Sequence, residues 1–517
     1  MGLAKLVEVM PRIIGLALAL GLVGCRESDG PSAAGSSSGG DESESTAAAT
    51  MGVGSECVPD ERRACYSGPL GTEGLGQCRA GEQVCSADGT RWLPCADEVL
   101  PAEREDCSTA PDDDCDGSIV CEPELQWSKE TLASLRNLAI DSEGNILAAS
   151  TGGAFEYEGT VLEDVYLIKI DPQGAPVWHH NFIYDGVDSV QDLAVDAEQR
   201  TAMVGYYGEE LDLGGGPLPF AEVRTGFVAM HDRDGNHLWS RATDYTAVST
   251  VEMGPDGTVY VVGRQDFFDN SFDEMVIVAA YDTEGTLVWE HRMEGVFGLN
   301  DRALSLARMT NGELVLAGIL SPGDVEDPTY DDEPLELGFY GAYGFRLSAD
   351  GDLLGYRELP EPDTVPIDSL RAFALSDGTL TVVFTAQNGG LSGGVLGRYS
   401  SELETISEQW IGTEASVRAV DIGPDDTIVV ALFFFGSLEV SPVGVYAPPN
   451  AQNIGIVAVD REGQGRWLEL MRDPSSIWLH SLAVGPGGVV AARVASDSPF
   501  ELAGQTVENH ALVRFQP

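Results

Sequence analysis

The stretch Phe227-Val228-Ala229-Met230-His231-Asp232-Arg233-Asp234-Gly235-Asn236-His237-Leu238-Trp239 decides the fold. Two apolar arms flank an Asp-x-x-Gly turn. Glycine accepts the positive φ that a tight hairpin needs, so the stretch reads as two antiparallel strands. Its central phrase, Asp-x-x-Gly-x-x-x-Trp, returns at Asp171 to Trp178, Asp282 to Trp289 and Asp460 to Trp467, with worn copies at Ser348 to Gly355 and Ser400 to Ser407. The tryptophan position and its substitutes give seven register marks: Trp127, Trp178, Trp239, Trp289, Gly355, Ser407 and Trp467. A fixed period of roughly fifty to sixty-odd residues is the sign of one supersecondary unit stacked on copies of itself.

A second hairpin recurs inside each unit. Apolar runs such as Val259-Tyr260-Val261-Val262, Leu314-Val315-Leu316-Ala317 and Ile428-Val429-Val430-Ala431 continue the pattern. Turn dipeptides precede several of these runs, as in Asp256-Gly257, Asn311-Gly312 and Asp377-Gly378. Four antiparallel strands per unit and seven units predict an all-β, seven-bladed β-propeller over residues 122–517. The register also predicts the closure. Ala511 to Phe515 matches a strand that precedes the turn but has no successor, and Leu125 to Trp127 matches a strand that follows it but has no predecessor. These two orphans should pair, because an unpaired edge invites aggregation. One tryptophan per blade at constant register is read as packing between blades. Longer units carry insertions near 206–224, 321–340 and 434–453, which in repeat proteins map to loops, often on one binding face.

The first 24 residues read as a signal peptide: Lys5 and Arg12, then the apolar run Ile13 to Val23, too short for a permanent span. Leu22-Val23-Gly24-Cys25 resembles a bacterial lipobox, which implies that Cys25 carries lipid and anchors the chain in the membrane. Residues 25–56 are rich in Ser, Gly and acid and read as a disordered tether. The module at 57–121 holds Cys57, Cys65, Cys78, Cys85, Cys95, Cys107, Cys115 and Cys121, an even number in a turn-rich segment with few aliphatics. Such a cluster in an exported chain is expected to form disulfides, with 105 pairings open.

The repeated phrase with its preceding strand resembles the repeat of bacterial seven-bladed propellers of the SBBP type, found in exported proteins and lipoproteins. It is also similar to the repeat of quinoprotein dehydrogenases and of the propeller lipoprotein that assists outer-membrane assembly, which are built from eight shorter units. The segment from Glu105 to Gly117 is similar to the acidic cysteine motif of MopE-type surface proteins. That resemblance implies a divalent cation such as Ca²⁺ on Asp112, Asp114 and Asp116; the competing reading is an acidic turn held by disulfides. No cofactor is otherwise required.

A net charge of −55, from 84 Asp and Glu against 29 Lys and Arg, excludes nucleic acid as a partner, since phosphate backbones would be repelled. His179 and His180 are neighbours on a strand and point to opposite faces, which argues against a shared zinc. No catalytic fingerprint for hydrolase, zinc protease, nucleotide or dinucleotide chemistry appears, so no catalytic residue is assigned. The resulting expectation is a non-enzymatic envelope lipoprotein, placed in the outer membrane, whose propeller binds protein or glycan. The alternatives are a propeller enzyme (a quinoprotein-like dehydrogenase, lyase or hydrolase) and an outer-membrane assembly factor. Convergent charged side chains in the channel would favour the enzyme, and a small and apolar lining would favour the scaffold.

Overall fold

The structure is a computed structural model that describes residues 57–516 apart from 103–111, 116–122, 132–134, 183–188, 220–223, 267–273, 295, 299–303, 323–327, 338–340, 360–364, 389–390, 413, 436–437, 441–443, 447–452 and 472–476. Seven antiparallel sheets form the blades, each with four core strands; the sheet of blade 3 is extended to six strands and that of blade 4 to five. From the axis outward, blade 1 is Asn137–Ile140, Ile146–Tyr157, Thr160–Ile170 and Pro176–Phe182, and blade 2 is Ser189–Val195, Thr201–Tyr207, Thr225–His231 and His237–Ala242. The inner strands of blades 3 to 7 are Ala247–Met253, Leu304–Arg308, Val365–Ala374, Ala415–Ile422 and Ile477–Val484. The outer strands of blades 3 to 6 are Leu287–Glu294, Leu353–Glu358, Thr405–Ile411 and Gly465–Met471.

Blade 7 is shared between the first and last strands of the propeller segment. Its outermost strand, Glu124–Glu130, pairs with His510–Gln516, so that Leu125 faces Phe515 and Ser128 faces Val513. The two orphan segments do meet, and the sevenfold count holds.

The repeated phrase is an inter-blade device. Its aspartate closes its own turn by accepting two amides: Asp232 Oδ1 takes Asp234 N at 2.9 Å and Asn236 N at 2.8 Å. In the worn copies a serine hydroxyl does the same, with Ser400 Oγ accepting Glu402 N and Glu404 N at 3.2 Å each. The substitution preserves the hydrogen bonds that hold such turns. The tryptophan reaches across to the next blade. Trp127 Nε1 donates to Pro172 O (2.9 Å), Trp178 to Arg233 O (3.1 Å), Trp239 to Thr283 O (3.0 Å) and Trp289 to Ala349 O (3.1 Å). Each acceptor is the second residue of the following blade's turn. The indole therefore covers the turn glycine; a Cβ on Gly285 would stand 2.4 Å from Trp239 Cδ2. Where blade 4 has Gly355 in place of tryptophan, the turn of blade 5 has Leu403 in place of glycine, buried at φ 62°. Loss of the ring makes room for a side chain, although the backbone keeps its left-handed conformation.

All second-to-third strand connections leave at the end opposite the Asp-x-x-Gly turns, as the antiparallel order requires, so the insertions do start on one face. They do not stay there. Leu211 and Leu213 of the blade 2 insertion pack with Phe182 of blade 1. The Thr329–Tyr330 strand from blade 4 pairs with Met293 and Glu294 of blade 3. The loop after Phe500–Leu502 of blade 7 donates Ala503 N to Glu469 Oε1 of blade 6 at 2.6 Å. Radial sheets diverge outward, and these insertions fill the wedge between neighbours. Their apolar side chains, Leu211, Leu213, Tyr330 and Leu335 among them, are buried in that wedge rather than carried on a free loop.

Ahead of the propeller, three disulfides tie the small module: Cys57–Cys85, Cys65–Cys95 and Cys78–Cys115. Among the described residues of the module, two short strands, Arg62–Cys65 and Gly81–Val84, support them. A segment with so little core depends on its cross-links. Cys25, Cys107 and Cys121 lie outside the described residues. Among the described residues, no helix is long and apolar enough to cross a membrane.

Candidate functional site

The seven inner strands surround one axial channel that encloses about 470 Å³. Each strand ends in a tight turn, and counting four residues back from the turn's first residue reaches Asn137, Asp192, Thr250, Ser305, Arg371, Ala419 and Ser481. Most of these are polar, and several bridge to the next blade. Asn137 Nδ2 donates to Val190 O at 2.9 Å, Ser305 Oγ accepts Ala372 N at 3.1 Å, and Ser481 Oγ donates to Leu135 O at 3.1 Å. Asp192 Oδ2 accepts Val251 N at 3.0 Å. Asp421, two residues before its own turn, does the same for Val484 N at 2.7 Å. Inner strands of adjacent blades share no sheet, so their free backbone groups need such side-chain partners.

Glu252 differs. It lies on the channel between Asp192 and Asp421 in charge terms, and its carboxyl makes no hydrogen bond among the described residues. Arg308 of the next blade faces it at long range, and Arg308 Nε is buried with no partner among the described residues. The three acids are half-buried and open only onto the channel that they line. Burial pushes Asp192 up to about 6, against the pull of the Val251 amide and Arg371. Burial likewise pushes Asp421 up to about 7, with the charge of Asp192 adding to it. Glu252 is pushed up to about 8, first by burial and then by the charges of Asp192 and Asp421, with Arg308 opposing. Three carboxyls that repel one another cannot all ionise near neutrality, and Glu252 keeps its proton. A neutral carboxylic acid offers a donor as well as an acceptor.

The two mouths differ. Arg136, Arg418 and His480 stand exposed at the end away from the turns. At the turn end, Asp141, Asp196 and Asp426 are buried and engaged in structure: Asp141 pairs with Lys169 at 2.8 Å, Asp196 with Arg200 at 2.6 Å, and Asp426 accepts Ser376 N at 2.9 Å.

The channel lining is thus mixed. Small and apolar side chains such as Ala194, Ala307, Ala419 and Leu482 alternate with Asp192, Glu252, Arg308, Arg371 and Asp421. Sequence reasoning missed the charged set because no local motif links residues some fifty or more positions apart. Aligning the strands on their turns is the signal that finds them.

In the small module, Asp112 is buried and Asp114 half-buried, while Asp116 lies outside the described residues. Asp112 O accepts Gln77 N at 3.0 Å, and Asp113 accepts the Gln77 side chain. No group of three or more His, Cys, Asp or Glu that could hold a metal ion is found among the described residues.

No family model matches the chain, and no curated protein matches it. Among solved structures, the WD40 propeller domain of Doa1 is similar at 12% identity, covering 76% of this chain and 97% of that one, with a TM-score of 0.42. The Pan2 WD40 domain of Neurospora crassa is similar at 10% identity, covering 77% and 96%, with a TM-score of 0.41. A PL25 polysaccharide lyase, an ulvan lyase, is similar at 9% identity, covering 75% and 94%, with a TM-score of 0.40. Neighbours of such different kinds fix no role.

Proposed function

We propose that this protein is a non-enzymatic cell-envelope lipoprotein whose propeller binds a polar partner, a protein loop or a glycan, at the axial channel. The observation that carries the reading is the division of labour among the channel acids. Asp192 and Asp421 are held by backbone amides of the neighbouring blade, as structural bridges are. Glu252 and Arg308 retain hydrogen-bonding capacity that a polar ligand would satisfy better than channel water does. Lipid on Cys25 would hold the propeller at the outer membrane, and the density of disulfides fits an oxidising compartment. Calcium on Asp112, Asp114 and Asp116 remains part of this reading.

A glycan array and a cross-linking pull-down from envelope fractions, run with wild type and with Glu252→Ala, which removes both the donor and the acceptor, test the binding role. Ligand capture that the substitution abolishes supports it, and capture indifferent to Glu252 refutes the channel site. Mass spectrometry of the native protein without reductant tests the anchor, the disulfide number and the metal together.

A second reading is favoured by the graded protonation of the same three acids. Carboxyls near 6, 7 and 8 in one channel are suited to general acid and base roles in a lyase or hydrolase. Turnover of a captured polysaccharide that vanishes in Asp421→Asn while capture persists would select this reading.

A further inference from the structure

The outer seam between blades 1 and 2 contains an aromatic ladder with three histidines, and no part of the proposed binding role uses it. Along the outer strand of blade 1, Trp178, His180 and Phe182 point toward blade 2. The rings of Trp178 and His180 are 5.6 Å apart, and those of His180 and Phe182 are 6.2 Å apart. Across the seam, His231 lies 6.5 Å from His180 with nearly parallel rings and 5.6 Å from Phe182. His237 meets His231 edge-on at 5.9 Å.

His231 is 1% exposed. Its Nε2 contacts Leu213 O at 3.3 Å, while its Nδ1 and the Nε2 of His180 are buried without hydrogen-bond partners among the described residues. Every other charged group packed on the ladder is already engaged or turned away. Asp232 faces both rings, but its carboxylate holds Asp234 N, Asn236 N and the Asn236 amide. Asp212 faces His237 from the blade 2 insertion, but its Oδ1 holds Gly214 N and Gly216 N. Arg241 adds positive charge beside His237 and donates to Ser240 O and Glu284 O, Lys169 on the adjacent strand is bound by Asp141 and Gln199, and exposed Arg233 pairs with Glu143. The contacts available to the rings, Leu213 O for His231 Nε2 and Ser240 Oγ for His237 Nε2, leave His231 Nδ1 and His180 Nε2 without an acceptor among the described residues, so a proton arriving there has no hydrogen-bond partner.

We propose that the His180–His231–His237 ladder is an acid-operated latch that keeps the blade 1 to blade 2 seam closed at neutral pH and loosens it when the rings take up protons. The seam is built to be neutral. Burial holds His231 down to about 4, and burial also lowers His180 and His237. A histidine whose closed-state pKa lies below its open-state value favours the closed form fully above about 6.5 and loses that preference as pH falls toward 4. The contrast lies in the same molecule: His291, at the equivalent register after Trp289, pairs with Asp331 and is raised instead.

The test is hydrogen–deuterium exchange of the full chain at pH 7 and pH 4.5, expressed as protection factors so that intrinsic exchange cancels. The latch predicts that protection of Pro176–Phe182 and Thr225–His231 falls by more than about tenfold on acidification, while the strands of blades 4 and 5 hold theirs. In the His180→Phe/His231→Phe variant that local fall should disappear. Equal protection at both pH values, a loss spread evenly over all seven blades, or an identical fall in the double variant would overturn the proposal. If the variant does not fold, the wild-type map still decides between a local and a uniform response.

Discussion

Replacing Gly285 with alanine probes the lock between blades 2 and 3. The residue sits at φ 75°, and the added Cβ would stand 2.4, 2.6 and 2.8 Å from three atoms of the Trp239 indole. Holding an alanine in the left-handed region costs about 1–2 kcal/mol. The indole must also withdraw. It is 5% exposed and donates to Thr283 O at 3.0 Å, so displacing it loses a hydrogen bond of about 1 kcal/mol and forces repacking of about 1–3 kcal/mol. The sum is about 3–6 kcal/mol. Gly159→Ala is the reference: its φ is 80°, nothing lies within 4 Å of the new Cβ, and it carries the strain alone. Urea denaturation of both variants should separate them by about 2–4 kcal/mol. In a Trp239→Gly background, which imitates the Gly355 and Leu403 seam, Gly285→Ala should cost no more than the reference. Equal costs for Gly285→Ala and Gly159→Ala, or an undiminished cost in the Trp239→Gly background, would refute the lock.

Truncating the chain after His510 removes the partner of Glu124–Glu130; light scattering should show aggregation, and a monodisperse truncated protein with unaltered melting would contradict the clasp. Glu252→Gln should raise stability by ~1–3 kcal/mol at pH 8 and leave it unchanged at pH 4. The sign follows from a folded-state value of about 8: between the unfolded value near 4.5 and that point, only the unfolded chain ionises freely, so stability is lost as pH rises. Denaturant titrations at the two pH values check it, and a gain at pH 4 would point to packing instead. The three described disulfides span 28, 30 and 37 residues, each worth roughly 3–4 kcal/mol by loop closure. Limited proteolysis after reduction should therefore digest the N-terminal module and spare the propeller.

Blade number, strand order and the closing pair were legible in the sequence because the Asp-x-x-Gly turn has a fixed chemistry that survives even as Ser348 and Ser400. The tryptophans were legible as packing, but their acceptors in the next blade were not, since Pro172, Arg233, Thr283 and Ala349 contribute only a backbone carbonyl and share no side-chain type. The channel acids were illegible for a related reason. Glu252 and Asp421 sit two residues before their turns and Asp192 four, and nothing in the neighbouring residues sets them apart from ordinary strand polarity. The insertions looked like free loops because their length is visible in sequence, whereas the wedge they occupy arises only from the divergence of the finished wheel.

The clasp has a consequence for the order of assembly. Gln126 and Gln516 touch across 390 positions of sequence, so the first propeller strand to emerge during synthesis or export waits for the last. Until then blade 7 is incomplete at both ends and the ring stays open. Contacts so distant along the chain form late and slowly. An unfinished chain thus exposes the lone Glu124–Glu130 strand throughout its emergence, and a carrier that shields it until residue 516 arrives would speed maturation without altering the stability of the product.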